Sequence, residues 1–137
     1  MDTADKNKEV VREFTRIFKN KHNVDGVDHL FNSDFQHHFK TPVRPGLEGF
    51  KDMGRMMNTA FPDVVVTEED LVAAADKVVE RSSAVATHRA PMLGEPPTNK
   101  QVRWTEIHIY RLRDGKISEH WVEFSLLELL KQVGAIK

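Results

Sequence analysis

Asp114-Gly115 is the feature that most restricts the fold, because it separates two long alternating runs. A type I′ turn needs positive φ at both central residues, and Asp-Gly tolerates that at both. Gln101 to Arg113 and Lys116 to Phe124 therefore read as one antiparallel hairpin. A two-residue loop pairs Arg113 with Lys116, and the period of two fixes the rest. Tyr110 then faces Glu119, His108 faces Trp121, Glu106 faces Glu123, and Trp104 faces Ser125, all on one side of the sheet. The other side carries Ile107, Ile109, Val122 and Phe124, with Thr105 and His120. Two indoles, a phenol, an imidazole and three carboxylates on one face make aromatic walls with a few convergent polar groups, as a small-molecule pocket requires. A solvated face with scattered charges would have the same period. If Glu106 and Glu123 are opposed in a pocket, one of them gains a raised pKa and exchanges a proton near neutrality.

Before the hairpin the apolar period is helical. Val10, Val11, Phe14, Ile17 and Phe18 form one stripe of a first helix, with Asp5 or Thr3 as its cap. Val24, Val27, Leu30 and Phe31 suggest a short second helical piece that Asn32-Ser33-Asp34 ends. Phe35 to Phe39 reads as a short strand with His37 and His38 on opposite faces. Two prolines make Thr41 to Gly46 a loop, and Leu47 to Phe61 reads as a long helix stopped by Pro62-Asp63. Val64 to Ala75 and Lys77 to His88 then alternate as strands around a turn at Asp76-Lys77, and the proline-rich Pro91 to Lys100 is a loop. A helix from Ser125 to Val133 ends at Gly134, a C′ position. Helices followed by strands give the α+β pattern, with helices gathered on one face of a curved, largely antiparallel sheet.

The 137 residues suit one domain, 1–137, large enough to bury a core without disulfides or metal. Twenty basic and twenty-one acidic residues leave a net charge of −1, which disfavours a dedicated nucleic-acid binder. There is no cysteine, so thiol catalysis and cysteine metal sites are excluded. The charged start lacks a signal-peptide apolar region and no run is long enough to span a bilayer, so the expectation is a cytoplasmic protein without membrane contact. Nucleophile-elbow, Walker and dinucleotide glycine patterns are all missing, as is H-E-x-x-H. Glu106 and His108 with His38 or His88 have only generic spacing for a metal, so no metal is expected.

Several blocks resemble the SnoaL-like polyketide cyclases. Gly46-Leu47-Glu48-Gly49-Phe50 and Ala60-Phe61-Pro62-Asp63 are similar to that family's long helix and its A-F-P-D end. Thr87-His88 with Gly94-Glu95-Pro96-Pro97-Thr98-Asn99-Lys100 resembles its next segment, although Asn99 stands where T-G-K has glycine. Asp114 to Trp121 resembles its D-G-K-I-x-E-H-W signature, and Leu129 to Gly134 its tail. The resemblance implies a cone-shaped α+β barrel of the nuclear-transport-factor-2-like superfamily, in which a curved mixed sheet wraps three N-terminal helices around an apolar pocket. It also implies dimers formed through the sheet's outer face, and a cofactor-independent reaction. A carboxylate on the last strand removes a proton from an activated methylene, and the enolate closes a ring by an intramolecular aldol step. Where the family commonly carries that Asp, Ser125 stands here, and serine lacks the basicity.

On these grounds Glu123 is the substitute base, with His108 and Glu106 as its catalytic companions. Trp104, Tyr110, Trp121, Glu119, Ser125, His38 and Phe50 are the substrate-binding candidates. The expected partners are an apolar small molecule and a second copy of the chain. The expected function is cyclisation or isomerisation of a ketone or ester through acid/base proton abstraction. The alternative, which Ser125 favours, is a non-catalytic ligand-binding or scaffold member of the same fold. Epoxide-type hydrolysis ranks last, because Arg81 has no convincing pair of aspartates.

Overall fold

The computed structural model describes residues 2–136. Asp2, rather than Thr3 or Asp5, caps the first helix: its Oδ1 accepts the Asp5 N–H at 2.8 Å, so α1 runs Thr3–Phe14. The helix continues as a π turn, Thr15–Asn20. This wider turn brings Thr15 inward beside Phe14 and Phe18, and all three are buried. The short second piece forms two 3-10 turns, Val24–Gly26 and Asp28–Leu30, because apolar residues spaced by three fit that tighter winding. Asn32, Ser33 and Asp34 do not end a helix; they lie within strand β1, Phe31–His37, whose Phe31 and Phe35 both enter the core.

The second α-helix, α2, is Gly46–Ala60. Strands β2 (Val65–Ala74), β3 (Lys77–Thr87), β4 (Gln101–Arg113) and β5 (Lys116–Phe124) follow, and α3 (Leu126–Gln132) closes the described chain. The five strands form one open mixed sheet in the order β1-β5-β4-β3-β2. Only the β1–β5 pair is parallel. The β2–β3 turn falls one residue earlier than expected, with Ala75 at φ 54°.

The hairpin turn matches expectation, with Asp114 at φ 53°, Gly115 at φ 76° and Arg113 opposite Lys116. One residue pair further on, the register changes. Leu112 still pairs with Ile117, but Arg111 pairs with Glu119, so Ser118 is an extra residue on β5. Ser118 is buried, and its hydroxyl donates to the Arg111 carbonyl at 3.2 Å. Beyond this bulge every β5 side chain faces opposite to the unbulged register. Tyr110 pairs with His120, Ile109 with Trp121, His108 with Val122 and Ile107 with Glu123.

Two apolar clusters fill the inner side. One gathers Phe14, Phe18, Phe31, Phe35, Phe50, Tyr110 and Ile117. The other gathers Phe61, Val66, Val102, Trp104, Leu129 and Val133. Tyr110 and Trp104 bracket the inner positions His108 and Glu106 of β4, so the sheet carries polar rungs between two apolar bodies.

Gly49 shows how tightly α2 meets the loop before it. A Cβ there would lie 1.6 Å from the Arg44 carbonyl oxygen and 2.9 Å from His37 Nε2. Gly49→Ala must displace that loop, so the variant should lose about 1–3 kcal/mol of stability despite alanine's better helix propensity. Urea unfolding checks this, and an unchanged midpoint would contradict the packing described.

Candidate functional site

Between the two apolar clusters the inner face of the sheet carries Glu80 and Ser82 on β3, and Glu106 and His108 on β4. His120 on β5 lies beside Tyr110. The π turn adds Thr15 and Lys19 from above. Glu80 is fully buried; its Oε2 accepts the Thr15 hydroxyl at 2.9 Å and its Oε1 the Lys19 ammonium at 3.4 Å. Lys19 Nζ is also 3.0 Å from His108 Nε2 and 3.9 Å from Glu106 Oε1. His108 Nε2 lies 2.6 Å from Glu106 Oε1, and the Trp104 indole N–H donates to Glu106 Oε2 at 2.7 Å. His108 Nδ1 lies 2.8 Å from His120 Nε2. A continuous polar chain therefore runs Glu106–His108–His120, with Lys19 and Glu80 alongside.

Each pKa follows from these contacts. Burial alone would raise the Glu106 carboxyl, but the Lys19 charge and the hydrogen bonds from His108 and Trp104 outweigh it and bring it to about 2. Burial, then Lys19, lowers His108 against the opposing pull of Glu106 and Glu80. Burial, then the charges of His108 and Lys19, drives His120 well below the usual imidazole value. Burial and the two glutamates push the Tyr110 phenol well above its usual value. At neutral pH the chain is thus one ionised carboxylate and two neutral imidazoles.

Of the residues chosen from sequence, Glu106, His108, Trp104, Tyr110 and Phe50 meet in this region. Phe50 lies 4.9 Å from the His120 ring, centroid to centroid, with the two planes tilted by 59°. Glu123 does not join them. The Ser118 bulge turns it to the outer face, where its carboxylate is 72% exposed and pairs with Lys40. The Glu106–Glu123 opposition expected from the unbulged register is therefore replaced by Glu106 opposite Phe124.

Glu119 and Trp121 are outward for the same reason. Glu119 accepts from Arg111 and lies 2.8 Å from His38 Nε2, while Trp121 stacks on His38 at 4.8 Å. These three form a separate group on the outside. Ser125 is a backbone partner: its Oγ accepts the Thr105 N–H at 2.9 Å and its own N–H donates to the Thr105 carbonyl at 3.0 Å. In this way it extends the β4 edge past the end of β5.

Sequence reasoning missed Lys19, Glu80 and His120. Glu80 was detectable, since it alternates with Val78, Ser82, Ala84 and Ala86 on one face of its strand. His120 was assigned to the wrong side by the register. Lys19 reads as part of the charged face of an α-helix, and only the π turn brings it in.

Of two external clefts, of about 480 and 450 Å³, the first shares Trp104 with the site, and neither is lined by Glu106, His108 or His120. Val65, Ser83, Arg103, Ser125 and Gln132 line the first, and Asp34, Asp76, Arg111 and Glu119 the second. The polar chain meets solvent through the side chains of Glu106 and Lys19, 14% and 12% exposed. Among the described residues no three His, Asp or Glu side chains converge as a metal-holding set, and no helix is long and apolar enough to cross a membrane.

A family model described as SnoaL-like polyketide cyclase matches residues 8–133. No curated protein is a significant match. Among solved structures, TsrD from Streptomyces laurentii is 27% identical with a TM-score of 0.88, covering 99% of this chain and 99% of its own. IdmH from Streptomyces antibioticus, described as a candidate polyketide cyclase, is 27% identical with a TM-score of 0.81, covering 93% of this chain and 98% of its own. AclR from Streptomyces galilaeus, described as a candidate hydroxylase, is 24% identical at TM-score 0.88, covering 98% and 100%, and supports the fold alone.

The lowered histidines set the acid stability. An unfolded chain protonates both near pH 6.5, whereas the folded chain keeps them neutral to lower pH, so stability falls as pH drops below 6.5. Each such proton costs about 1.4 kcal/mol per pH unit. Glu106 adds a further loss only between about pH 4.5 and 2. Thermal melts from pH 7.5 to 5 should show this decline, and His120→Phe should flatten it. A decline of equal slope in the variant would contradict the assignment.

Proposed function

From the premise that this chain belongs to the SnoaL-like polyketide cyclase family, we propose that it is a cofactor-independent acid/base enzyme. It takes a proton from carbon next to a carbonyl in a small apolar ketone or ester, and the enolate then cyclises or isomerises. The Glu106–His108–His120 chain carries this reading. A buried carboxylate orients one neutral imidazole, and that imidazole orients a second, in a water-poor and aromatic setting. His108 and Glu106, expected from sequence to be catalytic, both belong to this chain. Trp104 holds Glu106 in place, and Tyr110 and Phe50 supply aromatic wall. Lys19 adds the positive charge that a developing enolate requires.

The reading also includes a homodimer through the outer face. Val72, Val79, Ile109 and Trp121 form one apolar row across four strands there, and Ile107 beside it is 48% exposed. Ile107→Asp should convert the dimer to monomer in sedimentation velocity; a wild-type monomer would refute this part.

Deuterium exchange at C-2 of ethyl acetoacetate, followed by proton NMR, tests the chemistry. Wild type should accelerate exchange, and Glu106→Gln or His108→Gln should reduce it by about 100-fold. Glu123→Gln should retain it, because that carboxylate lies on the opposite face. Loss of exchange in the Glu123 variant would restore the unbulged site. Ligand binding without any exchange in wild type would favour the non-catalytic alternative.

A further inference from the structure

Resting on that acid/base reading, we propose that the reacting atom is His120 Nδ1, with the Tyr110 hydroxyl as the enolate's hydrogen-bond donor and Glu106 as the outlet for the proton. The proposal follows from hydrogen-bond direction along the polar chain. Two groups contend for His108 Nε2: the Glu106 carboxylate at 2.6 Å, which only accepts, and the Lys19 ammonium at 3.0 Å, which only donates. The shorter contact puts a proton on Nε2, and the ammonium has Glu80 and Glu106 as its acceptors. A neutral His108 then has a bare Nδ1, which accepts, so His120 Nε2 at 2.8 Å must donate to it. A neutral His120 is left with its lone pair on Nδ1. That atom is buried and has no hydrogen-bond partner among the described residues. A buried imidazole lone pair without a donor is costly in a finished core, and it is the group that a base presents to its substrate.

The neighbouring strand position carries the complement. Tyr110 pairs with His120 across β4 and β5, and their ring centroids are 5.0 Å apart. Its hydroxyl is also buried without a partner. Burial beside Glu80 and Glu106 keeps the phenol protonated, so it offers a proton with no acceptor to take it. One unsatisfied acceptor and one unsatisfied donor thus lie on the same rung, next to Phe50 and Phe39, whose rings are 4.9 and 5.9 Å from His120. A carbonyl compound with an acidic C–H matches this pair. Its oxygen accepts from Tyr110 and its carbon faces His120. The class is a β-dicarbonyl or β-ketoester whose remaining surface is apolar.

The step balances without a co-reactant. The C–H bond breaks and its proton goes to His120 Nδ1. The bonding electrons form the C=C bond, and the carbonyl oxygen becomes the enolate oxygen held by Tyr110. The His120 Nε2 proton moves to His108 Nδ1, and the His108 Nε2 proton moves to Glu106. Glu106 has the 14% exposed side chain, so it can release the proton to water or return it for product protonation. His108 and Glu106 are positioning and relay residues in this scheme, and His120 and Tyr110 touch substrate.

Two measurements decide it. In uniformly ¹⁵N-labelled wild type, long-range ¹H–¹⁵N correlation at pH 7.5 should show His120 protonated on Nε2 and bare on Nδ1, with His108 in the same tautomer. A proton on His120 Nδ1 overturns the relay, whatever the enzyme's activity. With ethyl acetoacetate in D₂O, His120→Asn retains an acceptor near Nδ1 but not its basicity, so kcat for exchange should fall about 100-fold while KM holds. Tyr110→Phe should cost about 100-fold in kcat as well. Exchange in wild type that survives both substitutions overturns the inference and leaves the acid/base reading intact. No exchange in wild type counts against the acid/base reading itself, while the tautomer spectrum still decides the direction of the chain.

Discussion

The Ser118 bulge is the constraint on which the rest of the site depends. Asp114-Gly115 fixes Arg113 opposite Lys116, and that pairing turns Leu112 and Ile117 inward together. With strict alternation, Glu119, Trp121 and Glu123 would follow Ile117 into the interior, placing two more carboxylates beside Glu80 and Glu106. One inserted residue sends those three to the solvent side and brings His120 and Val122 in. The interior then holds two acidic groups matched by one lysine and two neutral imidazoles, a combination that can be buried.

The cost of burying those charges explains why so many elements converge here. An unpaired carboxylate in an apolar interior is far less stable than one with hydrogen bonds and a counter-charge. Glu106 receives the Trp104 indole N–H and the His108 ring N–H, with the Lys19 ammonium nearby. Glu80 receives the Thr15 hydroxyl and the same ammonium. Thr15 and Lys19, four residues apart on the π turn, both reach one patch of sheet, on the same winding that carries Phe14 and Phe18 inward. The widened helical turn and the charge in the sheet are thus two parts of one arrangement.

Much of the fold was legible in the sequence. The spans of β4 and β5, the order of helices and strands, and the aromatic inner stripe all follow from period and turn chemistry. The site was half legible. Trp104, Glu106, His108 and Tyr110 lie on the strand before the turn, where alternation is unbroken, and their common face is correct. Past the turn the same logic fails at Ser118, because a bulge is a backbone choice stabilised by one hydroxyl-to-carbonyl contact that no periodicity reports. Ser125 misleads in another way. Its value here is a hydroxyl that accepts the Thr105 N–H, so its weak basicity says little about whether the chain is catalytic.

The absence of cysteine allows the most direct test of this account, because single thiols can be introduced into an otherwise thiol-free chain. Labelling rates of His120→Cys and Glu123→Cys under native conditions report which face each position occupies. The bulged register predicts rapid labelling at 123, where the native carboxylate is 72% exposed, and slow labelling at 120, where the native ring is 1% exposed. The reverse order, in variants that melt cooperatively, would contradict the inner face described here and the proton chain built on it.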